Sequence, residues 1–271
     1  MTDAHFNHPS LIAWGIGNEL QSHNPVNKAS LKTLYDHAKG LDPSRLVNYV
    51  SNNLHFGYPS EGKSLPDATA DFDMMMFNEY FSTWYGKSVD VVPGELDKIA
   101  KEYPNKPLTI SEWGLCEPVH KGGDPRRIKE LVRQIAIYGS KPYVAGAIYF
   151  CLNDYRTQMG EDNTYSYPQR VHGVCDIKLN TKPSYDTLKV VSSPVIVKGV
   201  VQKGGKAEIT LRGNEGLPSY IVRNYVIKGG DEKVQIDELK PGEVKTFVIK
   251  TRAKEIGVFR PTGFEVIHLK L

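Results

Sequence analysis

At 271 residues, 40% of them apolar, the chain is long enough for a substantial core and for two domains rather than one. Thirty-four basic against thirty-one acidic residues leave a formal charge of +3 with no long run of either sign, which disfavours nucleic acid and anionic membrane surfaces as partners. The longest apolar stretches, such as Tyr143 to Leu152, reach about half of a bilayer span, so no membrane helix is expected.

The first residues carry neither a basic region nor an apolar core of a signal peptide, and the compartment stays undetermined. Three cysteines, Cys116, Cys151 and Cys175, form no C-x-x-C pair and are odd in number, so they read as small buried thiols rather than a zinc site or disulfide framework. His23, His55, His120 and His172 show no metal-binding spacing. No metal and no cofactor is called for.

Short apolar runs alternate with segments of helical period as far as Val191, the pattern of repeated βα units around a parallel sheet. The runs are Leu11 to Gly17, Leu46 to Ser51, Phe72 to Phe77, Leu108 to Glu112 and Val144 to Cys151. Between them, Leu31, Leu34, Tyr35 and Ala38 share one helical face, and Leu96, Ile99, Ala100 and Tyr103 share another. A further helix opens at Asp124-Pro125 and is expected to turn Ile128, Leu131, Val132 and Ile135 inward; a last one covers Pro183 to Val190. The connections from Asn52 to Asp71 and from Leu152 to Asn180 are longer than usual, as functional loops often are. After Ser192-Ser193-Pro194 the pattern changes to alternating strands such as Ala207 to Leu211, Tyr220 to Ile227, Val244 to Ile249 and Glu265 to Leu271. These strands predict an all-β sandwich over 192–271, behind an α/β domain over 1–191.

Two strands end in a carboxylate. Asn7-His-Pro-Ser-Leu-Ile-Ala-Trp-Gly-Ile-Gly-Asn-Glu19 breaks off in Asn18 and Glu19, and Lys106-Pro-Leu-Thr-Ile-Ser-Glu112-Trp-Gly repeats the form. Residues at the carboxyl ends of parallel strands face the ligand crevice, so both glutamates are aimed at one face. A carboxylate pair is what glycosidic cleavage requires: one protonates the leaving oxygen while the other supports the anomeric carbon, the two standing about 5 to 5.5 Å apart when configuration is retained. A lone strand-end glutamate is as often a solvated loop residue, and it is the flanking residues that decide here.

N-H-P-S-x-x-x-W-x-x-x-N-E and the later T-I-S-E-W-G resemble the acid/base and nucleophile signatures of glycoside hydrolase family 2, the β-galactosidase and β-glucuronidase family. The resemblance implies Glu19 as general acid/base and Glu112 as nucleophile. Phe77-Asn78-Glu79-Tyr80-Phe81-Ser82-Thr83-Trp84-Tyr85 is similar to the family's Asn-x-Tyr segment after the sixth barrel strand, which implies that Tyr80 hydrogen-bonds the nucleophile and places Trp84 at the substrate. Asn18 would bind the sugar 2-hydroxyl. Gly146 to Arg156 looks like the eighth strand followed by Asp-Tyr-Arg, with Phe150 where tryptophan is usual, and adds Phe150, Asp154 and Arg156 to the expected substrate contacts, as Trp113 is added beside Glu112. His172-Gly-Val-Cys-Asp176, Lys182-Pro-Ser-Tyr185, Pro218-Ser-Tyr220, Pro241-Gly-Glu243 and Phe259-Arg-Pro-Thr-Gly-Phe264 extend the likeness almost to the end.

What the resemblance implies is therefore the C-terminal part, about five strands, of a TIM (β/α)₈ barrel followed by an immunoglobulin-like sandwich. If Glu19 ends the fourth strand, three strands are absent and Met1 falls inside the third barrel helix. Such an open sheet invites self-association, and the isolated chain is expected to be inactive. The family's glucuronidases hold the substrate carboxylate with an Asn-x-Lys pair; the stretch Tyr165-Ser-Tyr-Pro-Gln-Arg-Val-His-Gly has none, so a neutral sugar, galactose first, is expected, with Arg156 and Arg170 left as the cations that could reach an acidic group. Rival readings are a β-glucuronidase, a β-mannosidase or a β-glucanase, and, from a different class, a non-catalytic carbohydrate-binding or structural remnant in which Trp14, Trp84, Trp113 and Phe150 stack on sugar without turnover.

Overall fold

The computed structural model describes residues 2–54, 67–85, 88–116, 122–159 and 168–271; His55, His120 and Tyr165, named above, lie outside them. The chain divides into two compact units, Met1–Gly123 with Lys141–Gly173 and Asp124–Ser140 with Val174–Leu271.

The first unit is built on a parallel sheet. A short helix α1 (Thr2–His5) precedes β1 (Ala13–Asn18), and β2 (Leu46–Ser51), β3 (Met75–Glu79), β4 (Leu108–Trp113) and β5 (Val144–Tyr149) follow in sheet order β1-β2-β3-β4-β5. Every neighbouring pair in this sheet is parallel. Sequential parallel strands joined by helical crossovers are the repeating unit of a TIM barrel, and these five make part of one.

Helix α2 (Pro25–Leu41) begins where Asn24 caps it, its Oδ1 accepting the Val26 amide at 2.9 Å ahead of a proline in the first turn. It buries Leu31 against Tyr49, Ala68 and Phe72. Phe72, expected to open the third strand, instead ends a 3-10 turn over Ala68–Asp71 and serves as core beneath α2, so pairing starts only at Met75. Helix α3 (Val92–Glu102) turns Leu96 and Ile99 inward as its period predicts. A two-residue ladder of β6 (Tyr155–Arg156) and β7 (Gln169–Arg170) pairs Tyr155 with Arg170 and Arg156 with Gln169.

Trp14 on β1 is buried, and its indole N–H donates to Asp42 Oδ2 at 2.9 Å. Ser44, Arg45 and Trp14 all donate to that carboxylate and hold it well below the usual range. The tryptophan is thus core and helix-end support.

The second unit holds helix α4 (Gly123–Gly139), helix α5 (Pro183–Val191) and a β-sandwich. The sandwich strands are β8 (Val195–Lys203), β9 (Lys206–Gly213), β10 (Val222–Gly229), β11 (Glu232–Leu239), β12 (Val244–Lys250), β13 (Glu255–Phe259) and β14 (Glu265–Lys270). One sheet runs β11-β10-β13-β14 and the other β12-β9-β8, all antiparallel. Between them lie Ala207, Ile209 and Leu211 from alternate positions of β9, with Tyr225, Ile227, Ile236, Ile249, Val258 and Val266. Period-two alternation is what a sheet with one wet face demands. The β8–β9 hairpin turns on Gly204 (φ 59°) and Gly205 (φ 74°), two left-handed positions in succession that side chains with a Cβ resist. As a proposal resting on connectivity, the domain boundary stays at 191/192, just before β8.

Helix α4 departs from expectation. Its buried side chains are Arg127, Leu131, Gln134 and Tyr138, while Val132 is exposed, so the inward face lies about one residue away from the one apolar periodicity picks out. Arg127 can be buried because its charge is paired with Asp124. Asp124 receives Arg127 Nη1 at 2.7 Å, Ser184 Oγ at 2.7 Å and the Ser184 amide at 2.8 Å, tying the start of α4 to the start of α5.

Burial raises the Asp124 carboxyl, but the Ser184 and Arg127 donors outweigh it and the net displacement is downward. A carboxylate depressed in the folded state stabilises above its unfolded value near 4 and loses that contribution as pH falls through the folded value. Asp124→Ala is expected to cost roughly 2–3 kcal/mol at neutral pH. The deficit should shrink in urea melts repeated below about pH 4.

Candidate active site

Glu19, directly after β1, and Glu112, next to last in β4, line one cavity of about 380 Å³ with Asn18, Asn52, Tyr80, Trp84, Tyr85, Phe150, Tyr155, Met159, Arg170 and His172. Glu19 is held at a left-handed backbone position (φ 56°) that β-branched and bulky residues avoid. Its amide donates to the Val50 carbonyl at 2.9 Å, and the next amide, Leu20, donates to Tyr49 Oη at 2.8 Å. Two bonds to β2 therefore fix the point at which the chain leaves β1. Such strain persists where surroundings over-determine it, often at functional sites.

On β4, Glu112 stands in register with Asn78 of β3. Tyr80 Oη donates to Glu112 Oε2 at 2.7 Å. Asn78 Nδ2 donates to Glu19 Oε1 at 2.7 Å and to Asn18 Oδ1 at 3.2 Å, and its side chain also hydrogen-bonds Glu112. One fully buried amide thus contacts both carboxylates. Burial pushes the Glu112 carboxyl up and the Glu19 charge adds to this, while the donors Tyr80 and Asn78 oppose it. Tyr80 is driven far above its ordinary value by burial and then by the Glu112 charge, so it remains a donor at any working pH. Burial does the same for Tyr85, whose hydroxyl donates to the Asn78 carbonyl at 2.8 Å.

The glycine after Trp113 is required locally. Gly114 has φ 152°, and a Cβ there would stand 2.6 Å from the Phe150 carbonyl oxygen. This close approach, with the Phe150 amide donating to the Trp113 carbonyl at 2.9 Å, keeps the end of β4 against the end of β5.

Much of the remaining lining is aromatic. His172 is buried with its ring 5.4 Å from Phe150, 5.8 Å from Tyr80 and 6.0 Å from Trp84, and it stacks on Tyr155 at 6.3 Å. Arg170 lies 4.9 Å above the Trp84 ring and hydrogen-bonds Tyr155. The cavity thus combines two carboxylates with several aromatic faces.

Residues 1–169 match the family described as glycosyl hydrolases family 2, TIM barrel domain. The chain belongs to glycosyl hydrolase family 2. Within this family it is similar to human β-glucuronidase, 33% identical over 157 residues, which covers 48% of this chain and 23% of the relative. It is also similar to the β-galactosidase of Kluyveromyces lactis, 27% identical across 96% of this chain and 24% of the relative. The chain thus spans about a quarter of the length of these curated relatives. In structure it is like a family 2 β-galacturonidase from Eisenbergiella tayi bound to galacturonate, with a TM-score of 0.57, 21% identity, and coverage of 69% of this chain and 34% of that one.

Of the positions that the family 2 resemblance singled out, the cavity brings together Asn18, Glu19, Tyr80, Trp84, Glu112 and Phe150. Three are placed elsewhere. Trp113 is 1% exposed and packs edge-on against Tyr149 at 5.1 Å, because consecutive strand residues face opposite sides and Glu112 takes the cavity side. Asp154 is buried and accepts the Gly173 amide at 2.9 Å, which fixes the chain beside His172. Arg156 lines a separate cleft with Thr157, Gln158 and Pro168. With Trp14 and Trp113 both in the core, the aromatic platform expected for a purely sugar-binding chain reduces to Trp84 and Phe150.

Sequence reasoning missed Asn52, Tyr85, Tyr155 and Met159 in the cavity and Asn78 beside Glu19, found no metal-binding spacing at His172, and left Arg170 as a cation that could reach an acidic group. The pairing of Tyr155 with Arg170 depends on a hairpin whose strands are two residues long, too short for periodicity to reveal. For Asn78 a signal existed, since near the end of β3 it stands two positions before Tyr80, the spacing of residues that share one side of an extended chain.

Proposed function

We propose that this chain carries the catalytic pair of a retaining glycosidase acting on terminal β-linked sugars. The observation supporting it is that Glu19 and Glu112 line one cavity and share the Asn78 amide. In the first step Glu112 attacks the anomeric carbon as the glycosidic C–O bond breaks, and Glu19 delivers its proton to the departing oxygen. In the second, Glu19 removes a proton from water, which attacks the same carbon and releases Glu112. Trp84 and Phe150 flank the sugar, and Asn18 lies beside Glu19 for the 2-hydroxyl.

A neutral sugar, galactose first, is the preferred substrate in this reading, on the ground that no Asn-x-Lys pair stands in 165–173. The β-galactosidase of K. lactis, matched over nearly the whole chain, supports it. Arg170 favours a second reading. It is the arginine among the described lining residues, and a guanidinium over Trp84 could pair with a sugar carboxylate, as a glucuronide or galacturonide would present. The test is a panel of nitrophenyl β-galactoside, β-glucoside, β-mannoside, β-glucuronide and β-galacturonide with the full-length gene product, repeated with Glu112→Ala. Galactoside turnover that disappears in the variant supports the first reading. Uronide turnover abolished by Arg170→Ala supports the second, and activity unaffected by Glu112→Ala contradicts both.

Tyr80→Phe removes a donor that favours ionised Glu112. It is expected to lower kcat by about 10²-fold. With that donor gone, Glu112 holds its proton to higher pH, so the acid limb of the kcat/KM profile should move upward.

A further inference from the structure

We propose that Ser111, acting through Asn78, is a positioning residue that sets the relation between the two glutamates. This rests on the retaining-pair reading and goes beyond it. Ser111 and Asn78 are both buried, at 8% and 0% exposure, so their polar atoms must find partners inside the protein. Ser111 Oγ donates to Asn78 Oδ1 at 2.9 Å. The amide oxygen is thereby engaged, and the amide nitrogen faces the other way, toward Glu19 Oε1 at 2.7 Å, Asn18 Oδ1 at 3.2 Å and Glu112.

Rotating this amide by half a turn would set its carbonyl oxygen against two carboxylates and remove their shared donor. The Ser111 hydroxyl and the carboxylate charges select the same orientation from opposite ends. The Tyr85 hydroxyl on the Asn78 carbonyl at 2.8 Å holds the backbone that carries the amide. Because the amide bonds one oxygen of Glu19, the other is left to exchange a proton with the leaving group. An asparagine does this without adding charge, whereas an aspartate would place a third anion between the two. Ser111 precedes the nucleophile at the point where the β3–β4 register shifts, and its hydroxyl donates to Asn78, the residue through which it acts on Glu19.

The effect should appear where proton transfer limits the rate. The experiment uses the full-length gene product with a series of aryl glycosides of the best sugar, from dinitrophenyl, which departs without a proton, to methyl-phenyl, which needs one. For Ser111→Ala, kcat/KM on the poorest leaving groups should fall by about 10²-fold, and the dependence on leaving-group basicity should steepen. Ser111→Thr, which keeps the hydroxyl, should restore most of it. Asn78→Ala should steepen the dependence further, with thermal melts confirming that each variant is folded. An equal loss on every leaving group, or a Ser111→Thr variant no better than Ser111→Ala, overturns the proposal. If the wild type itself releases product with inverted configuration, the retaining-pair reading fails first, and that result is distinguishable from a uniform loss on a retaining background.

Discussion

Glu112→Gln is expected to reduce kcat/KM by about 10⁴- to 10⁶-fold on every glycoside that the enzyme turns over, with the fold intact. The substitution is nearly isosteric. A glutamine oxygen can still accept from Tyr80 Oη, which donates at 2.7 Å to Glu112 now, so local packing survives while the attacking charge is lost. Because no other group forms the covalent bond, leaving-group quality should not soften the effect. The check is steady-state kinetics on dinitrophenyl and nitrophenyl substrates beside a chemical melt. Activity within tenfold of wild type would remove Glu112 from the nucleophile's role.

Glu19→Ala should behave differently, and the contrast is diagnostic. Poor leaving groups should lose about 10²- to 10⁴-fold, the usual worth of general acid catalysis. A dinitrophenyl glycoside needs no proton to depart, so its first step should continue and the glycosyl-enzyme should accumulate, visible as a burst of phenolate followed by slow turnover. Azide, small enough for the space vacated by the carboxylate and needing no base, should restore turnover and yield the β-glycosyl azide. Absence of both burst and rescue, or an α-azide product, would contradict the assignment.

The carboxylate pair was legible in the sequence because both glutamates end apolar strands, and strand ends in parallel architectures face the ligand. That argument gives only the shared face, and the resemblance of the flanking residues to family 2 singled the two glutamates out. It was carried too far at Trp113, where period two places the neighbour of a cavity residue in the core. The same rule separates Tyr155 and Arg170, which pair across β6 and β7 at the cavity, from Arg156 and Gln169, which pair on the other side. Asp154 was taken for a substrate contact because a buried carboxylate engaged by a backbone amide nineteen positions away in sequence leaves no local trace. On α4 the apolar period misled for a related reason: Arg127 lies inward because Asp124 pairs with it, and apolarity alone cannot register a hydrogen-bonded polar face. The sandwich strands were more readable, since alternation in β9 and the paired glycines of its hairpin are both local signals.

Asn78 shows how a site can be read only once side chains are brought together. Its sequence neighbours suggested the segment, but its relation to Glu19, Glu112 and Ser111 spans three strands. In the proposed mechanism, an amide between two carboxylates is a neutral donor that would stay in place as the charge of Glu112 is lost on esterification and regained on hydrolysis.

The most direct test of the retaining pair is covalent trapping. A 2-deoxy-2-fluoro glycosyl fluoride of the preferred sugar slows both steps but leaves the first fast enough to load the nucleophile. After incubation with the full-length protein and proteolysis, mass spectrometry should find the fluoro-sugar on the peptide holding Glu112, with Glu19 unlabelled. A label on any other residue, or an enzyme that turns over its substrate yet forms no adduct and releases the inverted anomer, would contradict the account.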